Sequence, residues 1–586
     1  MGDDRVRGGL RAGSACSEGV SMIPPAQQKR WMGYPAAPDE VKEALAMYPP
    51  VVQQILYNRG IQDAVSASRY LTASAELGDP FQLRDLQKAV ERLLRAIDGQ
   101  EVIAVYGDYD VDGVTATALL VEALRSLGAD VRPYIPNRFD EGYGLNQDAL
   151  AKLAKEGVRV VVTVDCGIRS PREAEFARTL GIDLIISDHH HPAQELPDAL
   201  AVICPKREDD LYPDDDLSGV GLAYKIAQGL FEARPHSDYQ ADDWLELVAL
   251  GTLADIVPLR GENRVLVRRG MEQLRQRARQ GIVSLAGVAG VNLSQLNVGD
   301  VGFKLGPRLN ASGRLESALD ALSLLMTREV EEAGRLAQKL DRQNRERQEL
   351  TRRMQEEAVR MAETEGQDTL LFAFSPDFNA GVVGLTASKL VEAFYRPAVV
   401  GQVEAEVTRA SCRSIPEFHI TQALDACRDL LVRHGGHSLA AGFTVRNENL
   451  PALRERLMEV AREKLAGQEL TPVLRFDVEL PLRDLRPDLL PLLDQLEPTG
   501  QGNPGVAFVT QGLKVVSARR IGSDQSHLKL ALTDGWITYD AIAFGKGSWA
   551  EQMPERVDVL YQYQRNEYNG RSSLQLHIRD LRPSES

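Results

Sequence analysis

Val102-Ile-Ala-Val-Tyr-Gly-Asp-Tyr-Asp-Val-Asp-Gly113 is the stretch that decides the fold of this chain. Its apolar first half predicts a buried β-strand, and residues 114–127 carry apolar side chains at helical spacing. In an open α/β sheet the loop between such a strand and helix lies at the carboxyl edge, where ligands bind. Asp108, Asp110 and Asp112 alternate through this loop. Their charges repel unless a cation lies among them, and Mg²⁺ and Mn²⁺ prefer such oxygen ligands.

Two simpler interpretations of this stretch need to be weighed. Aspartate and glycine are common in solvated turns, so a turn without function stays open until other acidic strand ends are found. The pattern Asp-x-Asp-x-Asp-Gly also begins a calcium-binding loop, which requires a glutamate six residues after the glycine. That position is Leu119, so the calcium loop is excluded.

Length and composition indicate a large globular protein. The chain has 586 residues, enough for three or four domains, and 43% of its residues are hydrophobic. It has no apolar run of about 18 residues, so we expect no membrane span. Five scattered cysteines without a C-x-x-C pair argue against a zinc knuckle or a disulfide framework and favour a reducing cytoplasm. The net charge of −16 is not typical of a nucleic-acid-binding protein.

Further predicted strands end in acidic or histidine residues. Strands at 158–164, 183–186 and 200–204 alternate with helices at 145–154 and 171–180, which predicts a parallel, doubly wound sheet. Asp165 follows the first of these strands and Asp188-His-His190 follows the second. Asp255 is a further candidate after a helical stretch at 244–250. Donors that converge at one edge of a sheet favour a metal site over a solvated turn.

The order of these motifs resembles the DHH phosphoesterase superfamily and, within it, the RecJ family of single-strand-specific 5′→3′ DNA exonucleases. The resemblance covers roughly residue 45 to the end and is specific because many motifs keep their order. The matching segments are 108–113, 164–167, 188–190, 217–221, 254–259, 306–314, 381–384, 387–389, 413–415, 435–442, 502–504 and 527–529.

The resemblance implies an α/β multidomain protein. After a loose extension (1–40) and a helical lead-in (41–96), it implies a DHH catalytic domain (97–327), a linker helix (328–364), an α/β DHH-associated domain (365–466) and an oligonucleotide-binding β-barrel, or OB-fold (467–586). Short alternating segments after residue 471 also predict a small barrel. Five aromatic residues there suit either its core or base stacking, with the core favoured for each: Tyr539, Phe544, Tyr561, Tyr563 and Tyr568.

The resemblance also implies the catalytic residues Asp108, Asp110, Asp112, Asp165, His189, His190 and Asp255. Two Mn²⁺ or Mg²⁺ ions are expected. Asp112, Asp165, His189 and Asp255 would hold one ion, and Asp108 and Asp110, with Asp165 as the bridging carboxylate, would hold or orient the other. Which of Asp108 and Asp110 contacts metal directly stays open. His190 is expected to contact phosphate, and His191 to have no role.

A second set of residues is expected to bind the substrate strand. By resemblance these are Arg138, which would help hold the 5′-terminal phosphate, Arg308, Asn310, Arg314, Arg413, Ser414 and His437. Guanidinium groups suit phosphate geometry. The chain departs from the family pattern at Phe378-Asn-Ala380, Lys389 and Cys412, all in the DHH-associated domain.

The leading hypothesis is a metal-dependent exonuclease that degrades single-stranded DNA from its 5′ end during repair and recombination. The family implies cooperation with a helicase and a single-strand-binding protein, and we expect a cytoplasmic monomer. One alternative is a DHH hydrolase of oligoribonucleotides, cyclic dinucleotides or pyrophosphate, although those enzymes are shorter and lack the barrel. Another is a non-catalytic replication scaffold, against which the intact set of acidic and histidine residues argues.

Overall fold

The computed structural model describes residues 29–137, 141, 144–364, 369–568 and 571–585. They form two compact units. Of the described residues, those within 31–348 and 473–585 form one unit, and those within 29–30 and 349–472 form the other. None of the helices in the described ranges combines the length and apolar character needed to cross a bilayer.

The N-terminal region begins with a strand, β1 (Arg30–Gly33), that pairs with a strand far along the chain, Val473–Phe476. The expectation of a loose extension over residues 1–40 is wrong for Arg30–Gly33, because these residues form a paired strand. Residues 1–28 lie outside the described residues. Four helices follow: α1 (Asp39–Ala44), α2 (Pro50–Asn58), α3 (Ala64–Thr72) and α4 (Leu86–Asp98).

The first sheet has five parallel strands in the order β3-β2-β4-β5-β6. These are β2 (Val102–Gly107), β3 (Val131–Tyr134), β4 (Val158–Val164), β5 (Asp183–Ser187) and β6 (Ala201–Ile203). Ile103 and Val105 pack into one apolar core while Ala104 and Tyr106 pack into another. Burial of alternate residues on both faces shows that helices cover each side of the sheet, as predicted. The covering helices are α5 (Val111–Ser126), α6 (Gln147–Lys155), α7 (Pro171–Thr179) and α8 (Gly219–Ala233).

The register of the sheet aligns the strand ends. Gly107 pairs with Val164, and Val164 pairs with Ser187. The next residues along the chain are Asp108, Asp165 and Asp188. Parallel pairing therefore places the three acidic loops side by side at one edge.

A helical layer completes this part of the unit. It comprises α9 (Leu245–Asp255), α10 (Gly261–Arg277), α11 (Gln280–Ala289), α12 (Val298–Asp300), α13 (Gly306–Leu315), α14 (Leu319–Met326) and the 35-residue α15 (Val330–Thr364). The first half of α15 is not simply a solvated face, because Asp341 and Asn344 are buried there and Leu336 and Leu340 join the apolar core that contains Ile103 and Val105.

The other unit is a mixed sheet in the order β10-β11-β9-β8-β7. Its strands are β7 (Leu371–Ser375), β8 (Ala398–Val403), β9 (Val407–Arg413), β10 (Leu431–Gly436) and β11 (Ala440–Arg446). Its helices are α16 (Val383–Phe394), α17 (Ile420–Asp425) and α18 (Leu450–Leu465), and Met354 and Ala358 of α15 pack against the same sheet.

The C-terminal region is a five-stranded barrel, closed by pairing of its first strand, β14, with β17. Its elements are β12 (Val473–Phe476), β13 (Val478–Glu479), α19 (Leu490–Asp494), β14 (Phe508–Ile521), β15 (His527–Thr533), β16 (Thr538–Ala543), β17 (Arg556–Tyr568) and β18 (Arg571–Pro583). The barrel confirms the predicted fold class. Its core continues into α1–α3 through residues such as Leu45 and Ile55, so these helices belong structurally to the barrel.

Candidate metal centre and phosphate site

The first two ligand candidates are fixed by backbone hydrogen bonds at helix N-termini. Asp110 caps α5, where its Oδ1 accepts from the amides of Asp112 at 2.9 Å and Gly113 at 3.1 Å. Asp112 accepts from the amides of Gly219 at 2.7 Å and Val220 at 2.8 Å, in the first turn of α8. Backbone amides at helix N-termini favour negative charge, and these hydrogen bonds hold both carboxyl groups in place.

Asp165 lies in a conformation that is unusual for a residue with a side chain, with a φ of +64°. Strained backbone of this kind clusters at functional sites. The Asp165 side chain fits in this position only because residue 219 is glycine, since a Cβ on Gly219 would lie 2.6 Å from the Asp165 Cβ. Gly219 was expected only as part of a family motif; its close approach to Asp165 depends on tertiary structure.

His189 lies among three carboxylates. Its Nε2 is 3.0 Å from Asp165 Oδ1, 3.5 Å from Asp255 Oδ2 and 3.9 Å from Asp112 Oδ2. The structure thus brings together all four residues predicted to hold the first ion.

The ligand atoms form overlapping groups, each with its atoms within 4.8 Å of one another: Asp112, His189 and Asp255; Asp108, Asp110 and Asp165; and Asp165, His189 and His190. Asp165 occurs in two groups and is close to His189 of the other, as expected of a bridging carboxylate. The geometry places Asp108 and Asp110 equally in the second group, so their direct roles stay a prediction.

The electrostatics of the cluster favour a bound cation. Burial, followed by repulsion from neighbouring carboxylates, raises the pKa of Asp112 to about 7, that of Asp255 to about 9 and that of Asp165 well above its usual range. Burial lowers the pKa of His189 to about 3, so its ring is neutral and can donate a lone pair. Asp165 Oδ1 and both His189 ring nitrogens are buried and make no hydrogen bond to any described residue. Such a donor set fits hard divalent cations.

Asp188 orients His190. Its Oδ1 lies 2.8 Å from His190 Nδ1 and accepts from the His190 amide at 3.0 Å, while Oδ2 accepts from the Ile168 amide at 3.0 Å. Sequence reasoning quoted Asp188 in the motif but gave it no role. The signal that could have found it is its spacing, two residues before a histidine in a strand-end turn.

A pocket of about 190 Å³ adjoins the second ligand group. It is lined by Asp108, Tyr109, Asp110, His190, Asn310, Gly313 and Arg314. Asn310 also holds the acidic loop, because its Oδ1 accepts from the Val111 amide at 3.1 Å. Two expected phosphate-binding residues, Asn310 and Arg314, therefore lie where a phosphate beside the carboxylates would bind.

Arg308, another predicted substrate residue, is not among the described residues that line this pocket. Arg308 pairs with Asp341 at 2.9 Å and donates to the Lys304 carbonyl at 2.7 Å, so it fastens α13 to α15. These contacts use Nε and Nη1 of Arg308, and its expected phosphate-binding role stays a prediction. Arg138 lies outside the described residues.

The remaining predicted residues belong to the unit that contains Glu349–Pro472. Arg413 ends β9, and a Cβ on Gly384 would lie 3.1 Å from its guanidinium group, so the first turn of α16 packs on Arg413. Ser414 Oγ donates to the Phe418 carbonyl at 2.6 Å, and His437 is exposed just after β10. Of the departures from the family pattern, Phe378 and Cys412 are buried in the cores and Lys389 pairs with Glu392 at 2.7 Å.

Family models match three parts of the chain: a DHH family N-terminal domain at residues 102–252, a DHHA1 domain at 367–463 and a RecJ OB domain at 476–580. The single-stranded-DNA-specific exonuclease RecJ of Bacillus subtilis is 38% identical over 568 residues, which is 96% of this chain and 72% of that protein.

Solved structures of RecJ are also similar to this chain. The crystal structure of Thermus thermophilus RecJ in complex with Mn²⁺ covers 95% of this chain and 80% of its own, with a TM-score of 0.82 and 30% identity. The structure of the same protein with Mg²⁺ covers 95% and 79%, with a TM-score of 0.76 and 29% identity. With its metal-ligand cluster, its three domains and this extent of similarity, the chain belongs to the RecJ exonuclease family.

Proposed function

We propose that this protein is a metal-dependent exonuclease that hydrolyses single-stranded DNA from the 5′ end. The observation that carries the proposal is the pair of ligand groups joined at Asp165 beside a pocket bordered by Arg314 and His190. The B. subtilis and T. thermophilus relatives support the substrate class and the choice of Mn²⁺ or Mg²⁺.

The chain's own residues have separable roles in this reaction. Asp112, Asp165, His189 and Asp255 would hold one ion, and Asp108 and Asp110, with Asp165, the other. Two such ions supply an activated water and stabilise charge on the phosphoryl and leaving oxygens. Arg314 and His190, which line the pocket, would bind the phosphate, with His190 held in orientation by Asp188. Asn310 holds the amide of Val111 and thereby the acidic loop.

The test compares 5′-labelled and 3′-labelled single strands incubated with the protein and Mn²⁺. We expect a 5′ label to be released at once as a mononucleotide and a 3′ label to persist on progressively shorter strands. Degradation from the 3′ end alone, or no degradation, contradicts the proposal. A competition between long DNA and cyclic or linear dinucleotides tests the alternative small-substrate hydrolase, for which dinucleotides would be preferred.

The family resemblance extends the proposal to the protein's surroundings. We infer a cytoplasmic monomer that receives single strands opened by a helicase and coated by a single-strand-binding protein. Sedimentation of the purified protein and pull-down with those two partners test these inferences.

The barrel offers an exposed aromatic side chain for base stacking. Tyr539, Tyr561 and Tyr563 are buried in the barrel core, and the side chain of Tyr568 lies outside the described residues. Phe544 is 54% exposed, with its ring 5.0 Å from that of His527 and 5.2 Å from that of His577. We expect Phe544→Ala to weaken binding of a long single strand about 5-fold, at the lower end of stacking contributions.

Fluorescence anisotropy with a labelled single strand in EDTA, where no hydrolysis occurs, measures this affinity. Val516→Ala is the matched control, since Val516 is also an exposed apolar residue of the barrel. Equal losses in the two variants would contradict a stacking role for Phe544.

Metal binding should stabilise the folded protein. At an Mn²⁺ concentration 100 times the Kd, binding to the native state alone raises the free energy of unfolding by about 2.7 kcal/mol. We therefore expect Mn²⁺ to raise the thermal midpoint measured by scanning fluorimetry, and Asp255→Asn to reduce that rise. Asp198→Asn, which changes an exposed carboxylate, should keep the full rise; a rise independent of Asp255 would argue against the assigned ligand set.

A further inference from the structure

The backbone that follows the ligand candidate Asp255 adopts an uncommon conformation. Ile256 has a φ of +61°, in the left-handed region that β-branched residues avoid. Its side chain is 68% exposed, so burial of that side chain does not hold it there. Such a conformation persists only where the surrounding structure determines it.

The segment just after Ile256, Pro258–Arg260, packs against a loop of the barrel, Thr499–Pro504, here called the barrel loop. The Leu259 amide donates to the Gln501 carbonyl at 2.8 Å, and Arg260 Nε donates to the Gly502 carbonyl at 2.9 Å. A Cβ on Gly500 would lie 2.8 Å from Leu259 Cδ1. A Cβ on Gly502, which has a φ of +71°, would lie 3.1 Å from Pro258 Cβ. The two backbones meet closely just four residues after Asp255.

The barrel loop is itself held rigidly. Asn503 is buried, donates to the carbonyls of Leu496 at 3.0 Å and Pro498 at 2.7 Å, and accepts from the Tyr70 hydroxyl at 2.6 Å. Buried polar groups with all these partners fix one geometry.

Arg264, in the helix that follows the Asp255 segment, completes the connection. Its guanidinium group is buried, lies 4.0 Å from the centre of the Tyr70 ring and donates to the carbonyls of Gln495, Leu496, Pro498 and Tyr70. No carboxylate pairs with it among the described residues. A buried charge held by carbonyls from two segments is a specific connection, because its planar donors fit only one arrangement.

We propose that the barrel loop and Arg264 position Asp255, so that the geometry of the metal centre depends on docking of the barrel. This inference rests on the proposed metal-dependent function. Gly502 and Arg264 are positioning residues that act through Asp255 and touch neither metal nor substrate. The barrel thus contributes to the metal centre independently of any contact with DNA.

Gly502→Ala tests the proposal. The added methyl group would lie 3.1 Å from Pro258 Cβ and 3.2 Å from Arg260 Nε, so the segment after Asp255 must shift by a few tenths of an ångström. We expect the affinity of one Mn²⁺ site to fall on the order of 10-fold, as for other groups that orient ligands. Free Mn²⁺ measured by electron paramagnetic resonance during titration gives this affinity without an activity assay. Gly535→Ala is the matched control, because Gly535 also has a positive φ in the barrel and a Cβ there would meet open space.

A double-mutant cycle shows whether the effect passes through Asp255. In an Asp255→Asn background, Gly502→Ala should cause no further loss of Mn²⁺ affinity; an equal loss in both backgrounds, or a similar loss in Gly535→Ala, overturns the proposal. If Gly502→Ala fails to fold, Arg264→Lys takes its place, since it keeps the charge and loses the planar fork. Should the protein bind Mn²⁺ with this dependence but fail to degrade DNA, the proposed function falls and the positioning role stands.

Discussion

Replacing Asp165 by asparagine is expected to lower kcat for single-strand degradation about 10⁴-fold, in the range found when a central catalytic group is removed. Asp165 belongs to two of the ligand groups and its Oδ1 lies 3.0 Å from His189 Nε2, so its loss affects both predicted ions. Asparagine keeps the size of the side chain and removes its charge. Single-turnover release of a 5′ label with saturating Mn²⁺ measures the change.

Two controls separate this effect from misfolding. Asp198→Asn makes the same chemical change at an exposed carboxylate of the same unit and should retain wild-type kcat. Affinity of the Asp165→Asn variant for single-stranded DNA in EDTA should stay near the wild-type value, because other residues bind the strand. A variant that keeps more than about a tenth of wild-type kcat would exclude Asp165 as the bridging ligand.

The convergence of the candidate metal ligands could be predicted from the sequence because most of them directly follow parallel strands. Three of the ligand loops follow apolar strands, and the in-register pairing of Gly107, Val164 and Ser187 brings those loops together. Asp255 instead ends the helix α9. The alternation of strands with helices was enough to infer that these loops lie at the same edge of the sheet.

Features that depend on packing between distant segments were not predictable. Strand β3 was missed because it is short, lies at the edge of the sheet and contains Pro133. The packing of α1–α3 on the barrel core and the pairing of Arg308 with Asp341 join residues with no sequence signature. The hydrogen bonds from Arg264 to carbonyls of residues 495–498 also could not be predicted, because they join distant segments.

Asp188→Asn is expected to lower kcat about 100-fold at neutral pH, at the upper end for a residue that orients a functional group. Although burial lowers the pKa of His190, the hydrogen bond and charge of Asp188, followed by the charges of Asp108 and Asp110, raise it above its usual value. The variant removes the carboxylate that raises the pKa of His190 most, so the pKa of His190 should fall. The single oxygen of asparagine can still accept from the Ile168 amide, while the hydrogen bond from the His190 amide is lost.

The pH dependence distinguishes this role from a purely structural one. If cationic His190 binds phosphate, activity is lost as pH rises through the pKa of His190, and in Asp188→Asn this loss should begin at lower pH. The ratio of wild-type to variant kcat should therefore grow as pH rises. In a His190→Gln background, where there is no imidazole to orient or charge, Asp188→Asn should have little further effect. A pH-independent ratio, or the same loss in both backgrounds, would show that Asp188 supports the fold of the strand-end loop and not the charge of His190.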